Sequence, residues 1–304
     1  MPAHAPPTVR RLAGLFVAAA AAACLAAAPA RPAPLEIEVI QTGPGSLYTD
    51  ITLVKGEKAA VLIDAPFTRA DAHRVVAAIL DSGRNLETIY VTHDHPDHFF
   101  SVEVITDAFP QARVIAAPQV VDDIWKSIPL KLKRWGPMLG ANGPRHPIAP
   151  VALEADHFEL EGHRLEIIGP MQGDHMHATA VWIPDARALI AGDLLFNEMH
   201  LWFGESLQPA RQAWGRSVER LAALGATTVV AGHKKPGLPD DASAIAYTRR
   251  YLVEFEKDVA GSKNSAELAA RIRAAFPQTI DVFGDFLLGT SSKVAMGEIP
   301  PWQE

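Results

Sequence analysis

The pattern of apolar and polar positions along the chain predicts short strands that alternate with amphipathic helices. Residues 35–40 alternate between apolar and polar side chains, as in a half-buried strand, whereas residues 59–64 form an apolar run that ends in a carboxylate. Strands are predicted at residues 35–40, 46–54, 59–64, 86–91, 114–117, 158–160, 164–168, 179–183, 188–191 and 227–231. Helices are predicted at residues 68–83, 99–109, 208–224, 240–259 and 265–276. Because strands and a helix are followed by strands and a helix again, we expect two similar halves packed sheet on sheet with outer helices.

The stretch of residues 118–150 has no clear period and leaves two interpretations open. Trp125 and Trp135 are mixed there with Lys126, Lys131 and Lys133. One interpretation is a helical or irregular insertion that covers part of a site. The other is an ordinary amphipathic helix packed on the core.

The first thirty residues have the layout of a secretory signal peptide. Arg10 and Arg11 precede an alanine-rich apolar run at residues 12–27, and Ala-Pro-Ala at residues 28–30 offers a cleavage site. The run is short for a membrane span, which favours cleavage over an uncleaved anchor. Lipid attachment at Cys24 is the minor alternative, because the three residues before it are all alanine. We therefore expect a periplasmic or secreted protein.

Composition and charge narrow the range of functions. The single cysteine lies in the predicted leader, so a chain cleaved after Ala30 has no thiolate for catalysis or metal binding. The 304 residues are 48% hydrophobic with a formal net charge of −7, and the sequence contains neither a basic nucleic-acid footprint nor a glycine-rich phosphate loop. We expect a small-molecule substrate, no nucleic-acid partner, and no membrane contact after the leader is removed.

A dense cluster of candidate metal ligands directly follows the fourth predicted strand. Three histidines and two aspartates fall within residues 93–98, and imidazole nitrogens and carboxylate oxygens are ligands that zinc takes. In an extended loop, His93 and His95 lie on one side and can share one metal, while Asp97 and His98 point toward a second position. A catalytic zinc usually has three protein ligands, so further ligands must come from distant residues.

Three later residues supply candidates for the missing ligands. His175 lies in a loop between strands, and Asp193 and His233 each follow a buried strand, in Ala-Gly-Asp and Ala-Gly-His. A carboxylate or imidazole at the end of a strand or in a loop is poorly positioned to pack in the hydrophobic core and well positioned to bind a metal.

This set of residues resembles the metallo-β-lactamase superfamily, whose signature is His-x-His-x-Asp-His followed by a distant His, an Asp and a final His. The resemblance extends to about residue 237. It implies an α+β fold, the four-layer αββα sandwich, over residues 31–304, with the helices within 239–277 packed on it. It also implies two zinc ions, with iron or manganese as other candidates. By position, the implied ligands are His93, His95 and His175 for the first metal, Asp97, His98 and His233 for the second, and Asp193 as the bridge.

The motif around the middle ligand of this set departs from the family pattern. The family usually shows Gly-His there, whereas this chain has Gly-Asp-His-Met-His at residues 173–177. Counting back from Asp193 places the usual histidine nearest Asp174 or His175. His175 needs a one-residue deletion and His177 needs three, which favours His175.

The implied chemistry is hydrolysis by a metal-activated water. Asp97 would orient that water and help to protonate the leaving group, while Asp193 would bridge the metals. The sequence has no G-x-S-x-G elbow and no S-x-x-K motif, in keeping with a water nucleophile. Asp64, which ends a predicted strand, would support residues 92–98, which we call the metal loop, through hydrogen bonds.

The substrate is predicted from the residues around the implied ligands. Metallo-β-lactamases usually have Cys or Ser where this chain has Asp193, and Asp there resembles lactonases, thioesterases, phosphodiesterases and sulfatases. Phe196 stands where related lactonases have a tyrosine. We expect an exported hydrolase of a small ester, lactone or related acyl compound. β-Lactam hydrolysis is the alternative, followed by phosphodiester, sulfate-ester or thioester hydrolysis.

The segment just beyond Asp193 has two interpretations. In the first, His200 and Asn197 contact substrate, with His200 as a catalytic candidate, while Trp202 and Phe203 border an apolar pocket. In the second, this segment only packs against the sandwich. At the level of the whole protein, a metal-binding or partner-binding scaffold without turnover and a di-iron oxidoreductase are the competing classes.

Overall fold

The computed structural model describes residues 1–5, 8 and 33–303. The predicted leader features Arg10, Arg11 and Cys24 and the cleavage site lie outside the described residues. In the described part of the chain, no helix has the length and apolar character that are needed to cross a lipid bilayer.

A six-stranded sheet is formed by the first part of the chain, and its strands lie in sequence order. They are β1 (Glu36–Gln41), β2 (Asp50–Lys55), β3 (Ala59–Ile63), β4 (Asn85–Val91), β5 (Arg113–Ala116) and β6 (Val151–Ala152). The first three strands are antiparallel, and β3 to β6 are parallel. Parallel neighbours end at the same edge, which places the residues that follow β3 and β4 side by side.

The second part of the chain forms a five-stranded sheet and a small ladder. The strands in chain order are β7 (His157–Leu160), β8 (His163–Met171), β9 (Ala178–Ile183), β10 (Ala188–Ile190), β11 (Phe196–Asn197), β12 (Thr228–Val230) and β13 (His233–Lys234). The sheet has the order β12-β10-β9-β8-β7, and β11 pairs with β13. Because β10 and β12 are parallel, the residues after them also meet at one edge.

Seven helices are found among the described residues. They are α1 (Arg69–Ser82), α2 (Val102–Ala108), α3 (Pro118–Leu139), α4 (Gln208–Ala222), α5 (Ser243–Gly261), α6 (Ser265–Ala275) and α7 (Phe286–Ala295). The capping signal of α1 is confirmed, because the Thr68 side chain accepts a hydrogen bond from the Asp71 backbone N–H and Gly83 ends the helix at φ +66°.

The two sheets pack face to face, and helices cover their outer faces. Val61 and Ile63 of β3 belong to the apolar cluster between the sheets, where the Tyr90 and Phe158 rings stack with centroids 5.4 Å apart. The alternate residue of β3, Leu62, belongs to the cluster that includes the helices. This alternation is the period of two expected for a strand with both faces buried, and it confirms the predicted αββα sandwich.

Several element boundaries differ from the prediction. Strand β2 begins at Asp50 instead of residue 46, because a 3₁₀ turn occupies Pro44–Ser46 and both Leu47 and Tyr48 have positive φ. Residues 118–139 form a single long helix, α3, so most of the stretch of residues 118–150 is helical and not irregular. Helix α7 was not predicted, and it lies beyond the last helix expected from the sequence.

Candidate metal centre

The metal loop after β4 is held in place by Asp64 at the end of β3. Its Oδ1 accepts a hydrogen bond from the Thr92 backbone N–H at 2.7 Å, and its Oδ2 accepts one from the Thr92 hydroxyl at 2.8 Å. The same Oδ2 lies 2.7 Å from His98 Nδ1. Asp64 has a φ of +66°, a region that few non-glycine residues adopt. Asp64 therefore supports the loop as the sequence predicted.

Seven buried side chains form two groups that could each hold a metal ion, and within each group the candidate ligand atoms lie within 4.8 Å of one another. The first group is His93, His95, Asp174 and Asp193, and the second is Asp97, His98 and His233. All seven side chains belong to residues that are at most 7% exposed.

Asp193 lies between the two groups. Its Oδ1 is 3.0 Å from His98 Nε2, and its Oδ2 is 3.1 Å from His233 Nε2 and 3.8 Å from His93 Nε2. One carboxylate thus faces histidines of both groups. This is the position expected of a bridging ligand, the role that the resemblance implied for Asp193.

Each of the four histidines uses one ring nitrogen for an outer partner and turns the other toward the acidic residues of the groups. The outer contacts are His93 Nδ1 with Thr92 Oγ1 (3.0 Å), His95 Nε2 with Glu205 Oε1 (3.1 Å), His98 Nδ1 with Asp64 Oδ2 (2.7 Å) and His233 Nδ1 with the Leu47 carbonyl (2.9 Å). Outer partners of this kind fix the ring orientation and tautomer of metal-binding histidines.

Several inward-facing atoms of the groups are buried and make no well-directed hydrogen bond, even where a polar atom of another member lies 2.9 Å or 3.0 Å away. They are His93 Nε2, His98 Nε2, Asp193 Oδ1 and both carboxylate oxygens of Asp174. A buried polar atom without a partner costs about 1–3 kcal/mol, so five at one place need a common explanation. A bound divalent cation satisfies such atoms together, and this mixture of imidazole and carboxylate donors fits zinc, iron or manganese.

The charges at the site also favour a cation. Burial raises the pKa of Asp174 and, with His98 as a neighbour, lowers the pKa of His93. At His233 burial acts in the same downward direction, but the carboxylates of Asp193 and Asp97 outweigh it and raise the pKa to about 10. Positive charge is therefore stabilised where the two groups meet, next to Asp193.

The middle residue of the first group is Asp174, and the structure does not bring His175 into either group. Asp174 is buried and its Oδ2 lies 2.9 Å from His95 Nδ1. His175 points away, with Nε2 3.4 Å from Asp94 Oδ1. The cause is the tight turn of the loop, in which the Gly173 backbone N–H donates to the His175 carbonyl at 2.9 Å. His177 contacts Asp123 instead, at 2.6 Å from Nδ1 to Oδ2.

Close packing requires the glycines of the Ala-Gly-Asp and Ala-Gly-His motifs, Gly192 and Gly232. Gly192 has a φ of +50°, and a Cβ atom there would lie 2.7 Å from the Thr92 hydroxyl oxygen. A Cβ atom on Gly232 would overlap Asp193 Oδ1 and the Gly192 backbone. Glycine therefore lets the strand ends after β10 and β12 approach each other and the metal loop.

A cavity that is partly open to solvent lies over the two groups. Its polar side is formed by His95, Asp97, Asp174, Asp193, Glu205 and His233. Its remaining lining is apolar and is formed by Leu47, Phe67, Pro96, Trp135, Phe196, Met199, Trp202, Phe286, Leu287 and Trp302. Trp135 belongs to α3, so this helix covers part of the site, the first of the two interpretations of that stretch.

Of the four residues predicted to contact substrate or border a pocket beyond Asp193, one borders the cavity and three do not. Trp202 borders the cavity as expected, whereas Phe203 packs on Phe255 with ring centroids 4.4 Å apart. Asn197 donates a hydrogen bond to Ser243 Oγ at 2.9 Å. His200 borders a different cavity, with Nδ1 2.8 Å from the Tyr251 hydroxyl. The proposed substrate contacts of His200 and Asn197 are therefore not found, because both side chains turn toward the C-terminal helices.

Two functional features were missed from the sequence. Glu205 contacts both His95 Nε2 and, at 3.3 Å, Trp202 Nε1, but it lies in a loop with no motif. Phe286 and Trp302 reach the cavity from the last part of the chain, far from any ligand in sequence. Asp174 could have been found, because it was one of the two residues nearest the expected ligand position.

The comparisons with known proteins agree with this geometry. The family model "Metallo-beta-lactamase superfamily" matches residues 44–233, more than half of the chain. The chain therefore belongs to the metallo-beta-lactamase superfamily and is a hydrolase of that superfamily with a candidate metal-binding His/Asp cluster.

Individual relatives are distant. Hydroxyacylglutathione hydrolases from Brucella ovis and Brucella abortus are each 25% identical over 229 residues, which cover 72% of this chain and 72% of each relative. A metallo-beta-lactamase from Pontibacter korlensis is 19% identical, with a TM-score of 0.50 over 72% of this chain and 94% of that one. A metallo-beta-lactamase family protein from Thermus thermophilus is 19% identical, with a TM-score of 0.61 over 86% of this chain and 91% of that one. The likeness to these two structures shows the fold alone.

Proposed function

We propose that this protein is an exported, zinc-dependent hydrolase that cleaves a small ester, lactone or related acyl compound with water as the nucleophile. The observation that carries the proposal is the pair of buried ligand groups, joined through Asp193 and opening on a largely apolar cavity. The first ion would be held by His93, His95 and Asp174, the second by Asp97, His98 and His233, with Asp193 shared. Bound ions of this kind polarise a carbonyl oxygen and lower the pKa of water.

The choice of water as the nucleophile is supported by the cavity lining. Among the described residues that line the cavity, none is Ser, Thr or Cys, so no side chain offers a hydroxyl or thiol for covalent attack. This lining supports a nucleophile that enters with solvent.

Asp97 is the residue best placed to handle the proton in this reaction. It borders the cavity, and its Oδ2 accepts a hydrogen bond from the Thr49 hydroxyl at 3.2 Å and lies 3.2 Å from His233 Nε2. A carboxylate whose orientation is fixed in this way can take the proton from the attacking water and return it to the leaving group.

Thioester hydrolysis is the second candidate activity. The similarity to the Brucella hydroxyacylglutathione hydrolases, at 25% identity over 229 residues, favours it. β-Lactam hydrolysis ranks below both, because Asp193 stands where metallo-β-lactamases usually have Cys or Ser.

The proposal is tested with zinc-loaded protein and a panel of p-nitrophenyl acetate, a six-membered lactone, S-lactoylglutathione and nitrocefin. We expect turnover of the ester and the lactone, loss of turnover after chelation, and recovery when zinc is returned. Asp193→Asn should be inactive, and Trp125→Ala, a substitution of a tryptophan that is 66% exposed on α3, should match the wild type. Full activity after verified metal removal would refute the proposal, and S-lactoylglutathione as the fastest substrate would favour the second candidate.

Export is proposed from the leader pattern alone. Mass spectrometry of the protein recovered from the periplasm or the medium of its host should find an N-terminus near residue 31. An intact Met1 on the mature protein would contradict export by cleavage.

A further inference from the structure

Four aromatic side chains form a continuous surface on one side of the cavity, which we call the aromatic wall: Trp135, Trp202, Phe286 and Trp302. The rings of Trp202 and Phe286 stack with centroids 5.0 Å apart. Trp302 meets both of them edge to face, at 5.5 Å and 5.7 Å, and Trp135 meets Phe286 in the same way at 5.8 Å. These are preferred geometries for aromatic pairs, so each ring of the wall helps to position its neighbours.

Two of the four residues of the aromatic wall come from parts of the chain outside the family match. Phe286 begins α7 and Trp302 lies in the segment that follows it, both beyond the matched residues 44–233. The metal-binding groups lie within that match. The C-terminal part of this chain therefore completes the aromatic wall, and the candidate ligands and the other two wall residues lie within the family match.

Specific contacts hold Trp302 against the cavity. Its backbone N–H donates a hydrogen bond to the Gly204 carbonyl at 2.7 Å. The Arg134 guanidinium lies 3.9 Å from the centroid of the Trp302 ring, and Arg134 Nη2 donates to the Gln303 carbonyl at 3.2 Å. A Cβ atom on Gly204 would overlap the Trp202 indole, so glycine at this place allows the two tryptophans to meet.

The charges of the cavity complement an uncharged ligand. Among the described residues that line it there is no Lys or Arg, and Glu205 adds a carboxylate that belongs to neither ligand group. A carboxylate at the far end of a substrate would therefore lie beside aromatic rings or Glu205, with no Lys or Arg in the lining to pair with it, and the Arg134 guanidinium outside the lining is stacked on the Trp302 ring. Leaving such a charge unpaired in a partly buried place is costly.

We propose that this cavity selects acyl substrates whose non-reacting part is an uncharged, apolar group about the size of one ring, and that Trp302 is a specificity-determining residue. The inference rests on the proposed hydrolytic function and deepens it. An aromatic or cyclic acyl group would lie against the aromatic wall while its carbonyl faces the ligand groups. Short acyl groups would reach the ligands without contacting Trp302, and acyl groups with a distal carboxylate would be rejected.

The test compares three p-nitrophenyl esters on zinc-loaded protein: the acetate, the benzoate and the 4-carboxybenzoate. We expect kcat/KM to favour the benzoate over the 4-carboxybenzoate in the wild type. In Trp302→Ala we expect kcat/KM for the benzoate to fall about tenfold, the scale on which apolar pockets discriminate, with the acetate value nearly unchanged. Trp302→Phe should lose less, and Trp125→Ala on the same helix as Trp135 should behave as the wild type. Unchanged selectivity in Trp302→Ala, or equal use of the 4-carboxybenzoate, would overturn the proposal.

A binding measurement separates failure of this inference from failure of the hydrolytic function. Calorimetric titration of zinc-loaded protein with 4-methylbenzamide and with acetamide requires no turnover. We expect 4-methylbenzamide to bind more tightly, with this preference lost in Trp302→Ala. If no ester is cleaved but this pattern holds, the hydrolytic proposal fails and recognition by the aromatic wall stands. If esters are cleaved but Trp302→Ala binds both amides as the wild type does, the inference fails alone.

Discussion

Asp174 illustrates how a single residue can be misassigned when the motif around it is recognised. The family signature directs attention to a histidine, and His175 is adjacent to the expected position. The turn at Gly173 makes Asp174 the member of the first group instead of His175, because it buries Asp174 beside His95 and leaves His175 near Asp94. Sequence spacing along a loop does not define which of two neighbouring side chains faces inward, whereas along a strand it does.

Replacing each of these two neighbours gives a direct test of the ligand assignment. Asp174→Asn should lose metal from the first group, with affinity falling by at least the roughly 10–100-fold that the loss of an outer partner costs. His175→Gln should keep its metal. The measurement is zinc content after dialysis against a competing chelator, with circular dichroism as the check on folding. Retention of metal by Asp174→Asn together with its loss from His175→Gln would restore the original assignment.

His200 is a second residue whose structural position changes its expected role. It is buried against Tyr251, and burial lowers the pKa of its imidazole from 6.5 to about 4. The folded protein thus favours the neutral ring, so this contribution to stability is present above pH 6.5 and is lost as the pH falls from 6.5 toward 4. The shift corresponds to about 3 kcal/mol.

We therefore predict that His200→Gln alters the pH dependence of stability more than it alters turnover. Urea unfolding of the wild type at pH 7.5 and 4.5 should show a loss of stability in acid, and the loss should be smaller in His200→Gln. Comparison with His73→Gln, a substitution of an exposed histidine on α1, controls for a generic effect. Equal pH dependence in His200→Gln and the wild type would contradict the assigned role.

At the scale of elements, α3 is connected to the metal loop through a buried ion pair. Lys131 is 1% exposed, and its Nζ donates to Asp94 Oδ2 at 2.7 Å, to the Asp94 carbonyl and to Ser127 Oγ at 2.9 Å. Burial opposes ionisation of Asp94, but the Lys131 charge prevails and holds its pKa well below the usual range. Asp94 stands between two candidate ligands in sequence, and Trp135 lies one turn after Lys131. The ion pair therefore relates the position of the aromatic wall to that of the metal loop.

Lys131→Met should destabilise the protein by about 3–5 kcal/mol, because it leaves the Asp94 charge buried and unpaired. The double variant with Asp94→Asn should recover part of this loss. Lys133→Met, which changes an exposed lysine on the same helix, should stay within about 0.5 kcal/mol of the wild type. Urea unfolding of the four proteins measures these differences. A single Lys131→Met variant as stable as Lys133→Met would show that the ion pair contributes nothing.

At the scale of the whole molecule, the sandwich and most of the candidate ligands follow from local patterns. Alternation in β1, the apolar run of β3 and the polar residues placed after β4, β10 and β12 each depend on neighbours in sequence. Helix α7 could not be predicted in this way. It contains Gly289, Ser291 and Ser292, residues with weak helix propensity, and depends on Asp281, whose carboxylate accepts hydrogen bonds from the Leu287 and Leu288 backbone N–H groups.

The aromatic wall was missed for the same physical reason. Trp302 reaches the cavity through tertiary contacts with Gly204 and Arg134, and no local pattern encodes such contacts. The candidate ligands can be recognised in the sequence because histidine and aspartate are unusual at strand ends. Aromatic residues are not unusual in a chain that is 48% hydrophobic, so the wall residues do not stand out. The residues proposed for chemistry were therefore easier to predict than those proposed for specificity.

Because the candidate ligands come from both the first and the second part of the chain, bound metal should stabilise the whole fold. The loop after β4 supplies four of them from the first sheet, while Asp174, Asp193 and His233 come from the second part of the chain. A ligand present at about 1,000 times its dissociation constant stabilises the folded state by about 4 kcal/mol, so chelation should lower Tm by on the order of 10 °C. Thermal unfolding with and without zinc measures this shift, with Asp174→Asn expected to show a smaller one. An unchanged Tm after verified removal of metal would contradict the two-group site, since seven buried polar side chains would then be stable together without a cation.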